Sequence, residues 1–178
     1  VNLQDWLGRS ETVRDTATAT PFAALTATLD WPPGALAERP ADGTPLPPLW
    51  HWLYFLPQAP QSQIGPDGHP LRGGFLPPVH LERRMWAGGT LTFHAPLHIG
   101  ARLTRHSEIK SITEKEGGNG PMLFVSIVHA IYEDDRLCVE ETQDIVYLNI
   151  PDVFAPPKPK PVPAAPDMIK AVAVTEAL

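Results

Sequence analysis

The sequence predicts an α+β domain in which a long antiparallel sheet wraps around one central helix. Three segments of the second half, 101–116, 121–134 and 136–150, are rich in the β-branched and aromatic residues that favour strands. Only the glycine-rich stretch 117–120 and the acidic stretch 133–136 separate them. Such tight turns join antiparallel neighbours, because parallel strands need a crossover of a dozen or more residues.

The middle segment indicates that both broad faces of this sheet must be covered. Its odd-numbered residues, Leu123 to Ile131, point to one face, and its even-numbered residues, Phe124 to Tyr132, point to the other. Both sets are largely apolar, whereas a sheet with water on one side alternates apolar with polar residues. One helix can cover one face, so we expect a partner domain or subunit on the other. This back-to-back arrangement is the hotdog fold.

The helix is predicted over 16–30. Phe22, Leu25 and Leu29 recur there at helical spacing, which predicts one apolar face against the sheet. Pro32 disfavours helical geometry in the residue before it, so the helix is expected to end there. The order of elements is then a short lead, one helix, a long irregular segment and the sheet.

Proline is unusually frequent, with 22 residues in 178, against a typical usage of ~5%. Two clusters, 32–48 and 57–78, surround aromatic residues, and we expect them to stiffen an ordered wrap over the sheet. The third lies in 151–178, which has no periodicity and is typical of an extended linker. We therefore predict a hotdog domain, 1–150, and a proline-rich linker, 151–178, that leads to a second hotdog domain or a partner chain.

Composition excludes several classes of function. A net charge of −6 argues against a nucleic-acid partner, because no basic patch is available to neutralise phosphates. No apolar run approaches the ~20 residues that cross a bilayer. The lone cysteine, Cys138, rules out a disulfide framework and a cysteine-rich metal site, and we expect it to pack in the core. A reducing, cytoplasmic location is the expectation.

Four segments carry a resemblance to a known family: DWLGRSE (5–11), LPPLWHWLYFLP (46–57), DGHPLRGGFLPPVHLERRMWAGG (67–89) and ETQDIVYL (141–148). They resemble the first half of the two-hotdog, MaoC-like enoyl-CoA hydratases and dehydratases, the group that includes mesaconyl-CoA and itaconyl-CoA hydratases. The resemblance covers 5–150. It implies reversible addition of water to an enoyl-CoA thioester, with CoA as part of the substrate and no separate cofactor.

The resemblance also implies that this domain lacks its own catalytic pair. In this family an Asp and a His, spaced as D-x-N-P-x-H after the central helix, transfer the protons. In this sequence Asp30 takes the first position and Ala35 stands where the His is expected. Alanine cannot transfer a proton, so we expect no catalytic residue in this chain and a catalytic Asp/His site on a second hotdog domain. Asp30 equally fits a helix-end residue.

The binding candidates are Arg83, Arg84, Trp86 and Gly88. Adjacent arginines beside an aromatic residue and a turn at Gly88-Gly89 could grip a CoA phosphate and stack on a planar group. The alternative is an ion pair with Glu82 or Asp67 and a tryptophan that packs on the sheet. The sequence alone leaves both open.

The histidines give weaker signals. His94 and His98 are four residues apart, roughly 13 Å on a strand, which is too far for a shared metal ion, and we expect no metal. His129, on the doubly apolar strand, is either a hydrogen-bonded core or interface histidine or a residue that lines an acyl pocket. For His51, in the wrap, we expect a backbone hydrogen bond.

Two other functions stay open at this point. The fold alone does not establish activity, so the domain could be a non-enzymatic acyl-CoA-binding or scaffolding module. It could also be a hotdog thioesterase that uses Asp30. In each case the uncovered sheet face predicts a homo- or hetero-oligomer.

Overall fold

The computed structural model describes residues 2–31, 39–118 and 120–150, with the isolated residues 156, 159 and 161. Five strands form one antiparallel sheet: β1 (Ser10–Thr16), β2 (Arg83–Phe93), β3 (Arg102–Gly117), β4 (Gly120–Glu133) and β5 (Arg136–Leu148). Their order is β1-β3-β4-β5-β2. The described residues contain one α-helix, α1 (Ala19–Thr28). This is the hotdog fold that the sequence predicts.

The three long strands lie within a few residues of their predicted positions, because each is bounded by a tight connection. Gly117 pairs directly with Gly120 at the first turn, and Asp134 adopts a positive φ of 50° at the second. On β4 the odd-numbered residues from Leu123 to Ile131 are buried, and the even-numbered residues are half-buried. We call the first side of the sheet the inner face and the second the outer face. Among the described residues, the inner face is the better covered of the two.

The beginning of the sheet differs from the prediction in two ways. β1 lies where the sequence suggested only a short lead, and its Val13 pairs with Arg105 of β3. Gly88 and Gly89 lie inside β2, beside a bulge after Trp86, and do not form the predicted turn. A Cβ on Gly89 would lie 2.6 Å from the Thr142 carbonyl oxygen, so the glycine permits close pairing with β5.

The helix is shorter than predicted, and its apolar face is only partly buried. Ala19 and Thr26 are buried and Phe22 packs on the core, whereas Leu29 is 44% exposed. Thr26 can be buried because its hydroxyl donates a hydrogen bond to the Phe22 carbonyl oxygen. Leu29 lies at the helix C-cap, where the helix no longer faces the core. The expected burial of Leu29 is therefore wrong.

The proline-rich segment before β2 forms the predicted ordered wrap, described here over 39–82. Its Tyr54 and Phe55 are buried against the sheet, as expected for this aromatic cluster, while Trp52 is exposed. Arg72 fixes the end of the wrap, because its guanidinium donates to backbone carbonyls of the wrap, at 2.8 Å to Val79. The wrap and the start of α1 together cover the inner face. Neither α1 nor any other described helix is long and apolar enough to cross a membrane.

The inner face carries two separate apolar clusters. One lies near α1 and includes Ile99, Leu103 and Val139; the other lies under the end of the wrap and includes Ile109 and Val125. Cys138 is buried in the first cluster, which confirms its packing role. The strip of sheet between the two clusters carries the polar side chains described next.

Candidate functional site

A belt of polar side chains crosses the inner face between the two apolar clusters. On the sheet it consists of Arg105, Ser107, His129, Glu141 and Gln143, and the wrap adds His51 and Trp52. Ser107, His129 and Glu141 lie directly opposite one another on neighbouring strands. Buried polar groups cost free energy unless they are paired, so the contacts within this polar belt decide what it can do.

Glu141 anchors the wrap to the polar belt. Its Oε2 accepts a hydrogen bond from Trp52 Nε1 at 3.0 Å and lies 3.3 Å from His51 Nε2. Burial acts to raise the pKa of Glu141, but the hydrogen bonds from His51 and Trp52 outweigh it and hold the pKa below its usual value. Glu141 is therefore an ionised buried carboxylate at neutral pH. The backbone hydrogen bond expected for His51 is wrong, because its ring meets this carboxylate.

His129 lies at the centre of the polar belt. Its Nδ1 is 2.8 Å from Ser107 Oγ, and its Nε2 is 3.5 Å from Gln143 Oε1. Burial, followed by the positive charge of Arg105, lowers the pKa of His129, which is therefore neutral at neutral pH. The hydrogen-bonded core role predicted for His129 is confirmed. It also lines a cavity, as the second interpretation requires.

A cavity of about 990 Å³, here called the inner cavity, separates the polar belt from the wrap. Its sheet wall includes Arg105, Ile127, His129, Gln143 and Ile145. Residues 53–58 and 69–76 of the wrap form the opposite wall, and Thr18 and Pro21 of the first turn of α1 also line it. A volume near 1,000 Å³ with apolar walls and a few converging polar groups is typical of small-molecule sites.

The lining of the inner cavity is rich in charged side chains. It includes four arginines, Arg14, Arg72, Arg84 and Arg105, and two acidic residues, Glu11 and Asp15. The Asp15 carboxylate is already engaged, because it accepts backbone N–H groups from Thr16 and Phe55, both at 2.7 Å. Asp67 balances Arg84 at 3.2 Å, so the groups that suit an anionic ligand are the guanidiniums without such a partner.

Known proteins share the sequence and the fold of this chain. Residues 49–178 match the family model described as "Hydroxyacyl-thioester dehydratase type 2". The chain belongs to this family. The resemblance seen in the sequence is thereby confirmed.

Two curated relatives share most of this chain. The mesaconyl-C(4)-CoA hydratase of Chloroflexus aurantiacus is 46% identical over 96% of this chain and 60% of that relative. The mitochondrial hydroxyacyl-thioester dehydratase type 2 of Schizosaccharomyces pombe is 27% identical over 81% of this chain and 56% of that relative. The chain thus spans little more than half the length of either relative.

A solved structure shares the fold. The C-terminally truncated 3R-hydroxyacyl-ACP dehydratase complex from Mycobacterium tuberculosis matches 81% of this chain and 98% of its own, with a TM-score of 0.50 and 12% identity. At this level of identity the match concerns the fold alone. It agrees with the five-stranded sheet and single helix described above.

Arg83 and Arg84 do not converge on one side of the sheet. Adjacent strand residues point to opposite faces, and only Arg84 lines the inner cavity. Its NH2 lies 3.2 Å from Asp67 Oδ2, which is the alternative ion pair that the sequence offered. The predicted joint grip is therefore wrong, although a CoA contact by either arginine alone stays a prediction.

Trp86 lies at the edge of the same cavity, whereas Gly88 is not among the residues that line it. The Trp86 indole N–H donates to the Gly88 carbonyl oxygen, and its ring meets Trp52 edge to face at 6.0 Å between centroids. Trp86 lines the inner cavity but is largely exposed. An exposed tryptophan at a cavity edge can stack on a planar ligand group, and this role stays a prediction.

Asp30 and Ala35 are the residues that the sequence resemblance places at the family's proton-transfer positions. Asp30 lies just beyond the C-cap of α1 with a positive φ of 49°, which confirms its role at the helix end. It is not among the residues that line the inner cavity. Ala35 lies outside the described residues, as does nearly all of the predicted linker 151–178.

His94 and His98 each contact a carboxylate, at separate places. His94 Nε2 is 2.6 Å from Glu140, and His98 Nδ1 is 2.9 Å from Glu133. Within the described ranges, no three histidine, cysteine or carboxylate side chains converge as a metal site would require. These rim histidines hold acidic side chains at the end of the sheet.

Proposed function

We propose that this chain is the non-catalytic hotdog domain of an acyl-CoA hydratase/dehydratase. The complete enzyme would add water reversibly to an enoyl-CoA thioester, with its catalytic Asp/His pair on a second hotdog domain. The observation that carries this proposal is Ala35, which occupies the histidine position of the family pattern in a chain that still builds a large inner cavity. A site that binds but cannot transfer protons needs its catalytic groups from elsewhere.

The polar groups of the inner cavity support a binding role and not a catalytic one. Enoyl-CoA hydration needs a base to deprotonate water, an acid for the α-carbon and donors for the enolate oxygen. In this chain both ring nitrogens of His129 face partners, and Asp15 accepts two backbone N–H groups. Neither of these two groups is poised to take a proton from water.

The chain's own residues would enclose the acyl group and exclude bulk water. The aliphatic walls, Ile127 and Ile145, suit a short carbon chain, and Trp86 at the edge suits a planar group. The first turn of α1 lies on the same cavity, where a helix N-terminus favours a polarised thioester oxygen. CoA is here part of the substrate, and no separate cofactor is proposed.

The partner would cover the outer face of the sheet. Phe124, Val128 and Tyr132 lie on that face of β4 and remain half-buried in this chain. A second hotdog domain or subunit placed there would bury them and complete a homo- or hetero-oligomer, of which a dimer is the simplest form. The resemblance to mesaconyl-CoA hydratases favours a mesaconyl-CoA-type substrate over itaconyl-CoA, because the Chloroflexus relative carries the former name. A cytoplasmic location, with Cys138 reduced, belongs to the same proposal.

A complementation assay tests this proposal. The full chain is assayed for hydration of mesaconyl-C4-CoA, alone and mixed with the part of the Chloroflexus relative that the match leaves uncovered. We expect hydration only in the mixture. Hydration by the chain alone would contradict the proposal. Thioester cleavage that Asp30→Ala abolishes would identify a thioesterase instead, and CoA binding without turnover in both settings would identify a scaffold.

A further inference from the structure

Arg105 is a largely buried cation whose hydrogen-bonding capacity is unused in the described structure. Its side chain is 24% exposed, and its Nε is buried without a hydrogen-bond partner among the described residues. Burial lowers the pKa of this guanidinium, although arginine still remains charged at neutral pH. Buried hydrogen-bond donors in proteins normally have an acceptor. A buried arginine donor on a cavity wall that lacks one therefore indicates a ligand that supplies the acceptor.

The groups around Arg105 do not satisfy it. The nearest carboxylate, Glu11 Oε1, is 3.7 Å from its NH2, which is beyond hydrogen-bond distance. Phe55 lies under the guanidinium at 5.2 Å from its carbon to the ring centroid, and such a contact leaves the in-plane N–H groups unused. His129 cannot accept a hydrogen bond from Arg105, because its ring nitrogens face Ser107 and Gln143.

The other arginines of the inner cavity are exposed or have closer partners. Arg72 donates to three backbone carbonyls of the wrap. Arg84 Nη2 is also buried without a hydrogen-bond partner among the described residues, but the Asp67 carboxylate lies 3.2 Å from it and balances its charge. Arg14 is exposed on the edge strand β1. Arg105 is thus the buried cation of the cavity wall that has no described carboxylate within hydrogen-bond distance.

We propose that the inner cavity selects acyl groups that end in a free carboxylate, and that Arg105 binds this carboxylate. The inference rests on the proposed function, in which an acyl-CoA thioester enters the inner cavity. A guanidinium matches a carboxylate through two parallel N–H bonds, a match that a methyl end group cannot provide. The cavity then discriminates mainly against acyl-CoA thioesters that lack a terminal carboxylate, because these would leave Arg105 buried and unpaired.

The position of Arg105 favours an acyl carboxylate over a phosphate of CoA. The aliphatic and aromatic walls beside it, Ile127 and Phe55, suit a carbon chain and not a nucleotide. A CoA phosphate also binds guanidinium groups, so the two anions must be separated by experiment. Trp86 and the first turn of α1, which share the cavity lining, leave room for the thioester end of the same ligand.

Calorimetry on the full chain tests this inference with three ligands: succinyl-CoA, butyryl-CoA and free CoA. Succinyl-CoA and butyryl-CoA have acyl chains of the same length and differ in the terminal carboxylate. We expect succinyl-CoA to bind at least about tenfold more tightly than butyryl-CoA, as one charge-assisted bidentate contact provides. In Arg105→Gln this preference should disappear, while the affinity for butyryl-CoA and free CoA stays the same.

Two further variants complete the design. Arg102→Gln, on the same strand but with a side chain that is 86% exposed, should keep the full preference. Arg105→Lys retains the charge and the aliphatic stem but not the planar fork, so it should remain folded and keep only part of the preference.

Equal binding of succinyl-CoA and butyryl-CoA by the parent chain would overturn the inference and leave the proposed function intact. An equal loss of free-CoA affinity in Arg105→Gln would also overturn it, because Arg105 would then bind a phosphate. Failure of all three ligands to bind would overturn the proposed function as well.

Discussion

At the scale of single residues, Glu141 makes the largest electrostatic contribution to the link between the wrap and the sheet. It is 8% exposed, and His51 and Trp52 reach it from the wrap. The neighbouring Glu140 points to the other face and pairs with the exposed His94. Because Glu140 and Glu141 are adjacent, a buried contact between histidine and carboxylate can be compared directly with an exposed one.

We predict that Glu141→Gln destabilises the fold by about 2–4 kcal/mol, because it removes one charge of a buried pair and weakens the acceptor for Trp52. Glu140→Gln should cost less than about 1 kcal/mol, since its pair is solvent-exposed. Urea denaturation of both variants measures the free energy of unfolding. Equal losses of unfolding free energy in the two variants would show that the buried Glu141 contact stabilises the fold no more than the exposed Glu140 contact.

His129 should make stability depend on pH in a defined window. Its folded pKa lies below its unfolded value of about 6.5, so the unfolded chain binds a proton first as the pH falls. Stability is thus lost from about pH 6.5 down to the folded pKa, at no more than about 1.4 kcal/mol per pH unit. A second loss follows below about pH 4.5, when Glu141, whose folded pKa is lowered, is protonated.

The check is urea denaturation at pH 7.5 and 5.5. The parent chain should be less stable at pH 5.5, and His129→Gln should show a smaller difference between the two pH values. Thr26→Val, which changes a buried side chain that does not titrate, serves as the control and should keep the parental difference. If His129→Gln shows the same stability difference between pH 7.5 and 5.5 as the parent chain, His129 is not the source of this pH dependence.

The polar belt shows which part of the site could be predicted from the sequence. The inward position of His129 follows from the alternation of β4, and its two possible roles were both visible. The inward positions of Glu141 and Gln143 follow the same rule, since they lie between Val139 and Ile145 on one face of β5. Their partners could not be predicted, because His51 is about ninety positions away from Glu141 and no local pattern links the two.

At the scale of elements, the long strands were predictable and the edges of the sheet were not. β3, β4 and β5 carry the β-branched residues that favour strands, and they are bounded by turn residues. β1 reads SETVRDT, with Val13 as its only strongly apolar residue, because an edge strand needs to bury little. Leu29, at the C-terminal end of α1, is 44% exposed among the described residues, which the helical spacing alone did not indicate.

The glycine pair of β2 gives a matched test of strand pairing. In Gly89→Ala the new Cβ would approach the Thr142 carbonyl oxygen at 2.6 Å, so we expect a loss of about 1–3 kcal/mol. In Gly88→Ala the Cβ meets nothing within 4 Å, and stability should stay within about 1 kcal/mol of the parent chain. Thermal denaturation of the two variants measures the difference. The account of the β2–β5 contact fails if Gly89→Ala is as stable as Gly88→Ala.

At the scale of the whole molecule, the two faces of the sheet have different coverage. The wrap and α1 cover the inner face, while the apolar residues of the outer face stay half-buried. The apolar character of both faces was predictable from β4 alone, because its odd-numbered and even-numbered residues are both largely apolar. The inner cavity was not, since it depends on how the wrap folds back over the sheet.

We predict that the chain self-associates through the outer face when no second hotdog domain is present. Val128→Lys, in the middle of that face, should shift the chain towards the monomer, because a buried lysine costs more than an apolar contact gains. Gln61→Lys, exposed on the wrap that covers the opposite face of the sheet, is the control and should leave association unchanged. Sedimentation equilibrium gives the association constant. A parent chain that is monomeric at high concentration would contradict this prediction.

The central claim is that the inner cavity holds the acyl group of a CoA thioester. Hydrogen–deuterium exchange of the full chain, with and without saturating butyryl-CoA, tests it most directly. We predict slower exchange in the two wrap segments 53–58 and 69–76 and at the centres of β4 and β5, around His129 and Gln143. Protection confined to the other residues, or no protection at ligand concentrations that calorimetry shows to be saturating, would contradict the account.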